Sequence, residues 1–171
     1  MDRMASIEMA LKNEQTEMDF YQNEAARSNN PLAKAMFENL ARDEQEHKRR
    51  ITNLHQRLQD EGHWPEDMPI EVAGTDIRQT LDALVSRRGS ADAHDDDDIR
   101  ALQKAIEFES KGARFYADLA EACDNPMEKN FFQFLARIER EHHLSLTDSL
   151  AYLEDPAAWA LENEHHHLDG A

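Results

Sequence analysis

The chain has 171 residues, which is enough for one compact domain with its own core. Its formal net charge is -17 at pH 7, from 36 acidic and 19 basic residues, and such a field repels nucleic acid phosphates and anionic membrane surfaces. Cys123 is the single cysteine, which excludes an internal disulfide, a multi-thiolate zinc site, an iron–sulfur cluster and a four-cysteine iron centre within this chain. We expect no nucleic acid or membrane partner. We also expect a cytoplasmic location, because no secretory signal or run of about 20 apolar residues is apparent.

Helices are predicted along most of the chain, because glycine and proline are scarce and strand-like alternation is absent. Asn30-Pro31 and Asn125-Pro126 each combine an N-cap with a first-turn proline. The acidic run 95–98 suits the positive end of a helix dipole, and Pro156 stops the last helix. Four long helices are therefore predicted, over about residues 5–28, 31–61, 95–123 and 126–154.

The connection between the second and third helices, residues 62–94, is too long for a hairpin loop. Within it, the segment TDIRQTLDALVSRR has apolar residues at helical spacing and predicts a short extra helix. We assign residues 1–155 to one bundle domain and residues 156–171 to a C-terminal tail. Trp159 and Leu161 either dock this tail on the bundle or leave it loose, and its histidines are not our expected metal site.

An internal repeat relates the two halves of the chain. A shift of 95 residues aligns Ala10 to Leu58 with Ala105 to Leu153 without a gap, and 17 of the 49 aligned positions are identical. The chain is thus a duplicated helical hairpin. Each hairpin has an apolar stripe that is buried only against the other hairpin, so the predicted fold is an all-α, antiparallel, pseudo-symmetric four-helix bundle.

The inward stripe of each helix is apolar except near its middle, where glutamate and histidine occur. In each hairpin one helix contributes a glutamate, and the other contributes a glutamate and a histidine three residues apart, which places both on one face. A lone Glu-x-x-His match is usually a surface pair, but two copies in register, each preceded by a glutamate 30 residues earlier, are not. The six predicted metal ligands are Glu14, Glu44, His47, Glu109, Glu139 and His142.

Four carboxylates inside a bundle repel one another and are costly to desolvate, by several kcal/mol per ion, unless a cation neutralises them. No lysine or arginine lies on an inward position at this level, so protons or metal ions must fill that role. Two divalent ions balance four glutamates with two neutral imidazoles. Oxygen-rich ligation with one nitrogen per metal suits iron or manganese.

The chain resembles the rubrerythrin-like branch of the ferritin-like di-iron family. The resemblance rests on two blocks, ALKNEQTEMDFY through NPLAKAMFENLARDEQEH and AIEFESKGARFY through NPMEKNFFQFLARIEREH. It implies a ferritin-like fold and a pair of iron ions, with Glu44 and Glu139 bridging them. It also implies that Glu14 and Glu109 are terminal ligands and that the two histidines, His47 and His142, bind one metal each.

The chain departs from that family pattern in two ways. It has no rubredoxin domain, so we expect a separate electron-donor protein. The family also carries an additional glutamate one turn after the third-helix ligand, where this chain has Gly112, whereas the repeat-related position in the first helix is Glu17. Glu17 is either an extra metal ligand or, as we expect, an exposed acid.

Tyr21 and Tyr116 lie two turns beyond the first-helix and third-helix glutamates, Glu14 and Glu109. A buried phenol needs a polar partner, so each tyrosine either donates a hydrogen bond to a ligand glutamate or is an ordinary core residue. The sequence leaves both interpretations open.

The resemblance implies reduction of hydrogen peroxide or dioxygen at the iron pair, with Glu14, Glu44, Glu109, Glu139, Tyr21 and Tyr116 as the catalytic set. The main alternative is a ferroxidase or an iron storage or delivery protein without peroxidase turnover. A third is a bundle that holds zinc as a structural ion. A homodimer is left open.

Overall fold

The computed structural model describes residues 3–65 and 96–161, and within these ranges the secondary structure is helical, without strands. Its four long helices are α1 (Arg3–Arg27), α2 (Pro31–Glu61), α3 (Asp96–Glu121) and α4 (Pro126–Glu154). These bounds agree with the predicted helices to within about two residues at each end, as expected for helix ends. The extra helix predicted in the long connection falls outside the described residues.

Local hydrogen bonds explain where α2 and α4 begin and where α2 ends. The side-chain oxygen of Asn30 accepts from the backbone N–H groups of Leu32 (2.9 Å) and Ala33 (3.1 Å), and Asn125 caps α4 in the same way. Gly62 ends α2 with a φ of 72°, a left-handed conformation that glycine adopts without a Cβ penalty. The repeated N-caps are therefore a structural property shared by the two hairpins.

The helices pack as two hairpins, α1 with α2 and α3 with α4, and the hairpins face each other to complete an all-α, ferritin-like bundle. Corresponding aromatic pairs show their likeness. Tyr21 stacks on Phe37 with ring centroids 6.2 Å apart, and Tyr116 stacks on Phe132 at 6.4 Å. A pseudo-twofold axis thus relates one hairpin to the other.

The apolar core is divided into two clusters by a polar layer. In α1, Ile7 and Ala10 belong to one cluster and Tyr21 and Ala25 to the other, and the same division occurs along α2, α3 and α4. The interval between the clusters contains a buried glutamate in α1 and α3, and a buried glutamate and histidine in α2 and α4. The fold therefore holds charged side chains in a layer closed on both sides by apolar packing.

The beginning of the tail docks on α4. Residues 156–161 are helical, Trp159 packs on Tyr152 with ring centroids 5.3 Å apart, and its Nε1 donates to Asp148 at 2.7 Å. Leu161, by contrast, is 61% exposed. Of the two predicted anchors, only the tryptophan makes the contact.

None of the helices in the described part of the chain has an apolar stretch long enough to cross a membrane.

Candidate metal centre

The six predicted ligands meet in the polar layer, and none is more than 1% exposed. They form two groups whose potential ligand atoms lie within 4.8 Å of one another. One group contains Glu14, Glu44, His47 and Glu139, and the other contains Glu44, Glu109, Glu139 and His142. Burial at this level is what the position of these residues on the inward stripes predicts.

The two groups are related by the internal repeat. Adding 95 to the residue numbers of the first group, with Glu139 exchanging for Glu44, generates the second. Glu44 and Glu139 belong to both groups, so both carboxylates are placed to be shared by two ions. Each group also draws residues from both hairpins, which means that neither hairpin holds a complete group by itself.

Both imidazoles present Nδ1 to the carboxylates. His47 Nδ1 lies 3.1 Å from Glu14 Oε2, 3.1 Å from Glu44 Oε2 and 3.6 Å from Glu139 Oε1. His142 Nδ1 lies 3.2 Å from Glu109 Oε2 and 3.5 Å from Glu44 Oε1. The rings are nearly parallel, at 21°, with centroids 5.7 Å apart. One nitrogen is thus available on each side of the shared carboxylates.

Several carboxylate oxygens in this layer have no hydrogen-bond donor. Each histidine Nδ1 has one hydrogen for several surrounding carboxylates, and Glu14 Oε2, Glu44 Oε1 and both oxygens of Glu139 are buried in the described part of the chain without accepting a hydrogen bond of good geometry. A buried acceptor without a donor costs about 1–3 kcal/mol, and native proteins seldom retain several together. Electron-pair acceptors such as divalent metal ions satisfy such oxygens, so the residues fit a metal centre.

Without metal, protons must provide the positive charge. Burial, followed by the charges of Glu109 and Glu44, raises the pKa of Glu139 well above its ordinary value. Burial also raises the pKa of Glu14 to about 7, with Glu44 as the next cause. Burial alone would lower the pKa of His47, but the charge of Glu44 and hydrogen bonds to the carboxylates outweigh this effect and raise the pKa to about 10.

Glu44 behaves in the opposite way to its repeat partner. Burial alone would raise its pKa, but the positive charge of His47 and hydrogen bonds from both histidines hold the pKa well below the usual range. In the metal-free protein the surroundings thus favour the ionised form of Glu44, beside two imidazoles whose pKa is raised, and the protonated form of Glu139. Metal ions and protons compete for the same cluster.

Each buried tyrosine donates to a glutamate of the opposite hairpin. Tyr21 Oη donates to Glu109 Oε1 at 2.5 Å, and Tyr116 Oη donates to Glu14 Oε1. Of the two interpretations left open by the sequence, the hydrogen bond to a predicted ligand is the one observed. These bonds cross between hairpins, so they orient Glu109 and Glu14 and join the halves of the bundle.

Glu17 is 7% exposed, and the expectation that it is a solvated acid is wrong. It lies one turn after Glu14, and α1 buries a wider face than the strict inward stripe implied. Burial raises the pKa of Glu17 well above its ordinary value, with further contributions from Glu44, Glu109 and Glu14. Glu17 makes no hydrogen bond or ion pair within the ranges 3–65 and 96–161, and it belongs to neither metal-binding group.

Asp43 is a contact that the sequence patterns missed. Its Oδ2 lies 3.2 Å from Nε2 of His142, on the side of the ring opposite Nδ1. Such a carboxylate partner fixes the orientation of a metal-binding imidazole. The repeat partner of Asp43 is Ile138, so His47 has no equivalent contact from that position. The only sequence signal was a charged residue directly before Glu44, which is too common to indicate a role.

The fold and the buried layer define a ferritin-like four-helix bundle whose carboxylate and histidine side chains indicate a metal centre. The protein-family model described as Rubrerythrin matches residues 6–78 and 100–168, and the chain belongs to the rubrerythrin family. No curated protein sequence matches the chain.

A solved structure of a hypothetical protein from Pyrococcus furiosus is similar, with a TM-score of 0.64 and 22% sequence identity. The alignment covers 89% of this chain and 90% of the other. At this level of identity the likeness supports the fold alone.

Proposed function

We propose that the protein is a di-iron oxidoreductase that reduces hydrogen peroxide to water with electrons from a separate donor protein. The observation that carries the proposal is the pair of buried, repeat-related ligand groups that share Glu44 and Glu139. Membership of the rubrerythrin family supports it. The overall reaction consumes one peroxide, two electrons and two protons, and it yields two water molecules.

The residues fit two metal ions by charge and by ligand type. Four glutamates balance two divalent ions, and each ion receives one imidazole nitrogen, from His47 or His142. Glu44 and Glu139 would be shared, while Glu14 and Glu109 would each bind one ion. When bound, a reduced iron pair supplies two electrons together to the O–O bond of peroxide.

The protein's own side chains contribute orientation and the exclusion of water. Tyr116 and Tyr21 fix the terminal glutamates by hydrogen bonds from the opposite hairpin. Their phenol groups remain protonated, because burial and the neighbouring carboxylates raise the pKa of both tyrosines well above the ordinary value. Apolar clusters on both sides keep bulk water away from the layer.

The test is an anaerobic stopped-flow experiment in which the reduced, iron-loaded protein is mixed with hydrogen peroxide. We expect rapid oxidation of the wild type and loss of this reaction in the double variant Glu44→Ala/Glu139→Ala. The matched control is Glu46→Ala/Glu141→Ala, which removes another repeat-related pair on the same helices that lies outside both metal-binding groups. The proposal fails if the wild type reacts no faster than the Glu44→Ala/Glu139→Ala protein.

A ferroxidase or iron-delivery function is the second candidate, and the net charge of -17 favours it because an acidic surface concentrates Fe(II). Repeated additions of Fe(II) in air distinguish the two functions. A storage protein continues to oxidise iron beyond two ions per chain and forms a large, hollow assembly that light scattering detects. A peroxide reductase stops after its two sites are oxidised, and it resumes only when a reductant is added.

A further inference from the structure

A cleft of about 270 Å³ opens between α1 and α3 at the level of the metal-binding residues. Six of its lining residues form three pairs that are 95 positions apart, one member from each hairpin. These pairs are Asn13 with Phe108, Thr16 with Lys111, and Glu17 with Gly112. The cleft is therefore centred on the pseudo-twofold axis of the bundle.

The same axis relates the two shared carboxylates, Glu44 and Glu139. An axis that exchanges the hairpins passes midway between the members of every repeat-related pair. The two metal-binding groups are exchanged by it, so the space between their ions also lies on it. The cleft and the space between the two ligand groups thus both lie on this axis, and the cleft opens on the α1–α3 side of the bundle.

Gly112 is the residue that separates the cleft from the carboxylate layer. A Cβ at this position would lie 3.2 Å from Oε2 and 3.3 Å from Cδ of Glu139, which is closer than ordinary van der Waals contact. The glycine lines the cleft on one side and contacts Glu139 on the other. Both Glu139 oxygens lack a hydrogen-bond donor, so a polar molecule that passes Gly112 meets unsatisfied acceptors.

Glu17 forms the opposite wall of the cleft. The residue is only 7% exposed, and it makes no hydrogen bond or ion pair within the described residues. A small hydrogen-bonding molecule in the cleft would provide its carboxyl group with a partner. The ligand positions are identical in the two halves, whereas all three cleft pairs differ, so the repeat has diverged where the cleft lies.

We propose that this cleft is the path by which hydrogen peroxide reaches the metal centre, with Gly112 keeping its floor open and Glu17 lining it with a hydrogen-bonding group. The proposal rests on the proposed peroxide chemistry for its substrate, but the existence of an open path is independent of that chemistry. A cleft of about 270 Å³ has room for hydrogen peroxide. Two experiments separate these points.

The first experiment uses the metal-free protein and measures access without any reaction at the metal. In a Cys123→Ser background, which removes the native thiol, Glu17→Cys is compared with Ala25→Cys, because both positions are 7% exposed. The probe is methyl methanethiosulfonate. We expect labelling at position 17 to be at least roughly tenfold faster than at position 25, since only the former lines the cleft. Equal labelling rates in the folded proteins would overturn the proposal.

The second experiment blocks the mouth of the cleft. Thr16→Trp places a large ring at the exposed rim, and Lys12→Trp places one on an exposed position of the same helix one turn earlier, outside the cleft. Both variants are iron-loaded, and their iron content is measured first. We expect Thr16→Trp to slow azide binding to the oxidised centre and peroxide oxidation of the reduced centre by roughly tenfold or more, and Lys12→Trp to leave both rates unchanged.

Lys111→Trp, on the α3 rim, replaces Thr16→Trp if the latter loses iron. Wild-type rates of azide binding in an iron-loaded rim variant would show that the path lies elsewhere. If no form of the protein reacts with peroxide but azide binding still slows in the rim variant, the proposed function fails while the access path stands.

Discussion

Replacing each shared glutamate by methionine should have opposite effects on the metal-free protein. Glu139→Met removes a fully buried carboxyl group whose pKa is raised by burial and whose oxygens accept no hydrogen bond from the described residues. Glu44→Met removes an ionised carboxylate that lies 3.1 Å from His47 and 3.5 Å from His142. Methionine is apolar, flexible and similar in size to glutamate, so it fills the space in both cases.

The magnitudes follow from what each substitution leaves behind. Removing the unsatisfied Glu139 recovers about 1–3 kcal/mol of desolvation free energy. Removing Glu44 leaves the buried imidazolium of His47 without its main partner and takes one partner from His142, which costs about 3–5 kcal/mol. For a chain of this length 1 kcal/mol corresponds to about 2–4 °C in Tm. We therefore expect Tm to rise by roughly 2–12 °C in Glu139→Met and to fall by roughly 6–20 °C in Glu44→Met.

The assay is differential scanning calorimetry at pH 7 on protein treated with a chelator, followed by the same scans after anaerobic addition of Fe(II). Ligand binding raises the Tm of wild type, because the metal binds only the folded state. This rise should be lost in both variants, since both metal-binding groups contain both glutamates. A fall in the metal-free Tm of Glu139→Met as large as that of Glu44→Met would refute the assigned charge states.

Two further predictions concern protons and the tyrosines. The pKa of Glu14 is raised to about 7 and that of His47 to about 10. The stability contributed by protonation of these two groups is complete below their pKa values in the unfolded chain, and it is lost as the pH rises through their folded pKa values of about 7 and 10. Between pH 6 and 10 the free energy of unfolding of the metal-free protein should therefore fall, by up to about 1.4 kcal/mol per pH unit for each group, and its Tm should fall with it. Metal affinity should increase over the same range. Calorimetric scans across pH would contradict this if the metal-free Tm were constant or rose. Tyr116→Phe removes the hydrogen bond to Glu14 and should weaken Fe(II) binding about 10- to 100-fold in a chelator competition. Tyr152→Phe, which alters a ring that packs on Trp159, should leave the affinity unchanged, and equal affinities in both variants would remove the role assigned to Tyr116.

The fold was predictable because its signals are local and occur twice. Asn30 and Asn125 act as the N-caps that their sequence context indicates, and the helices they begin have the predicted bounds. The first helix begins at Arg3, two residues before the prediction. The short helix expected within residues 62–94 stays a prediction.

The metal-binding layer was predictable from helical period and repeat together, since both depend only on spacing along the chain. What spacing cannot provide is the rotation of one helix against another. Glu17 is buried because α1 turns a wider face inward than a narrow stripe requires, and Asp43 meets His142 across 99 residues of sequence. The tyrosines were placed near the ligands, but their donation to the opposite hairpin depends on how the hairpins face each other.

Because the cleft lies on the pseudo-twofold axis, its two walls can differ in a chain that contains both hairpins, whereas they must be identical in a homodimer of single hairpins. In a symmetric homodimer every substitution appears twice about the axis, so a glutamate at position 17 would face another glutamate, and a glycine would face another glycine. Covalent fusion removes this constraint. One half of the protein can then provide an acid where the other provides empty space, as Glu17 and Gly112 do. An asymmetric approach to two symmetry-related ligand groups is thus available to a fused, duplicated chain and not to a symmetric homodimer of single hairpins.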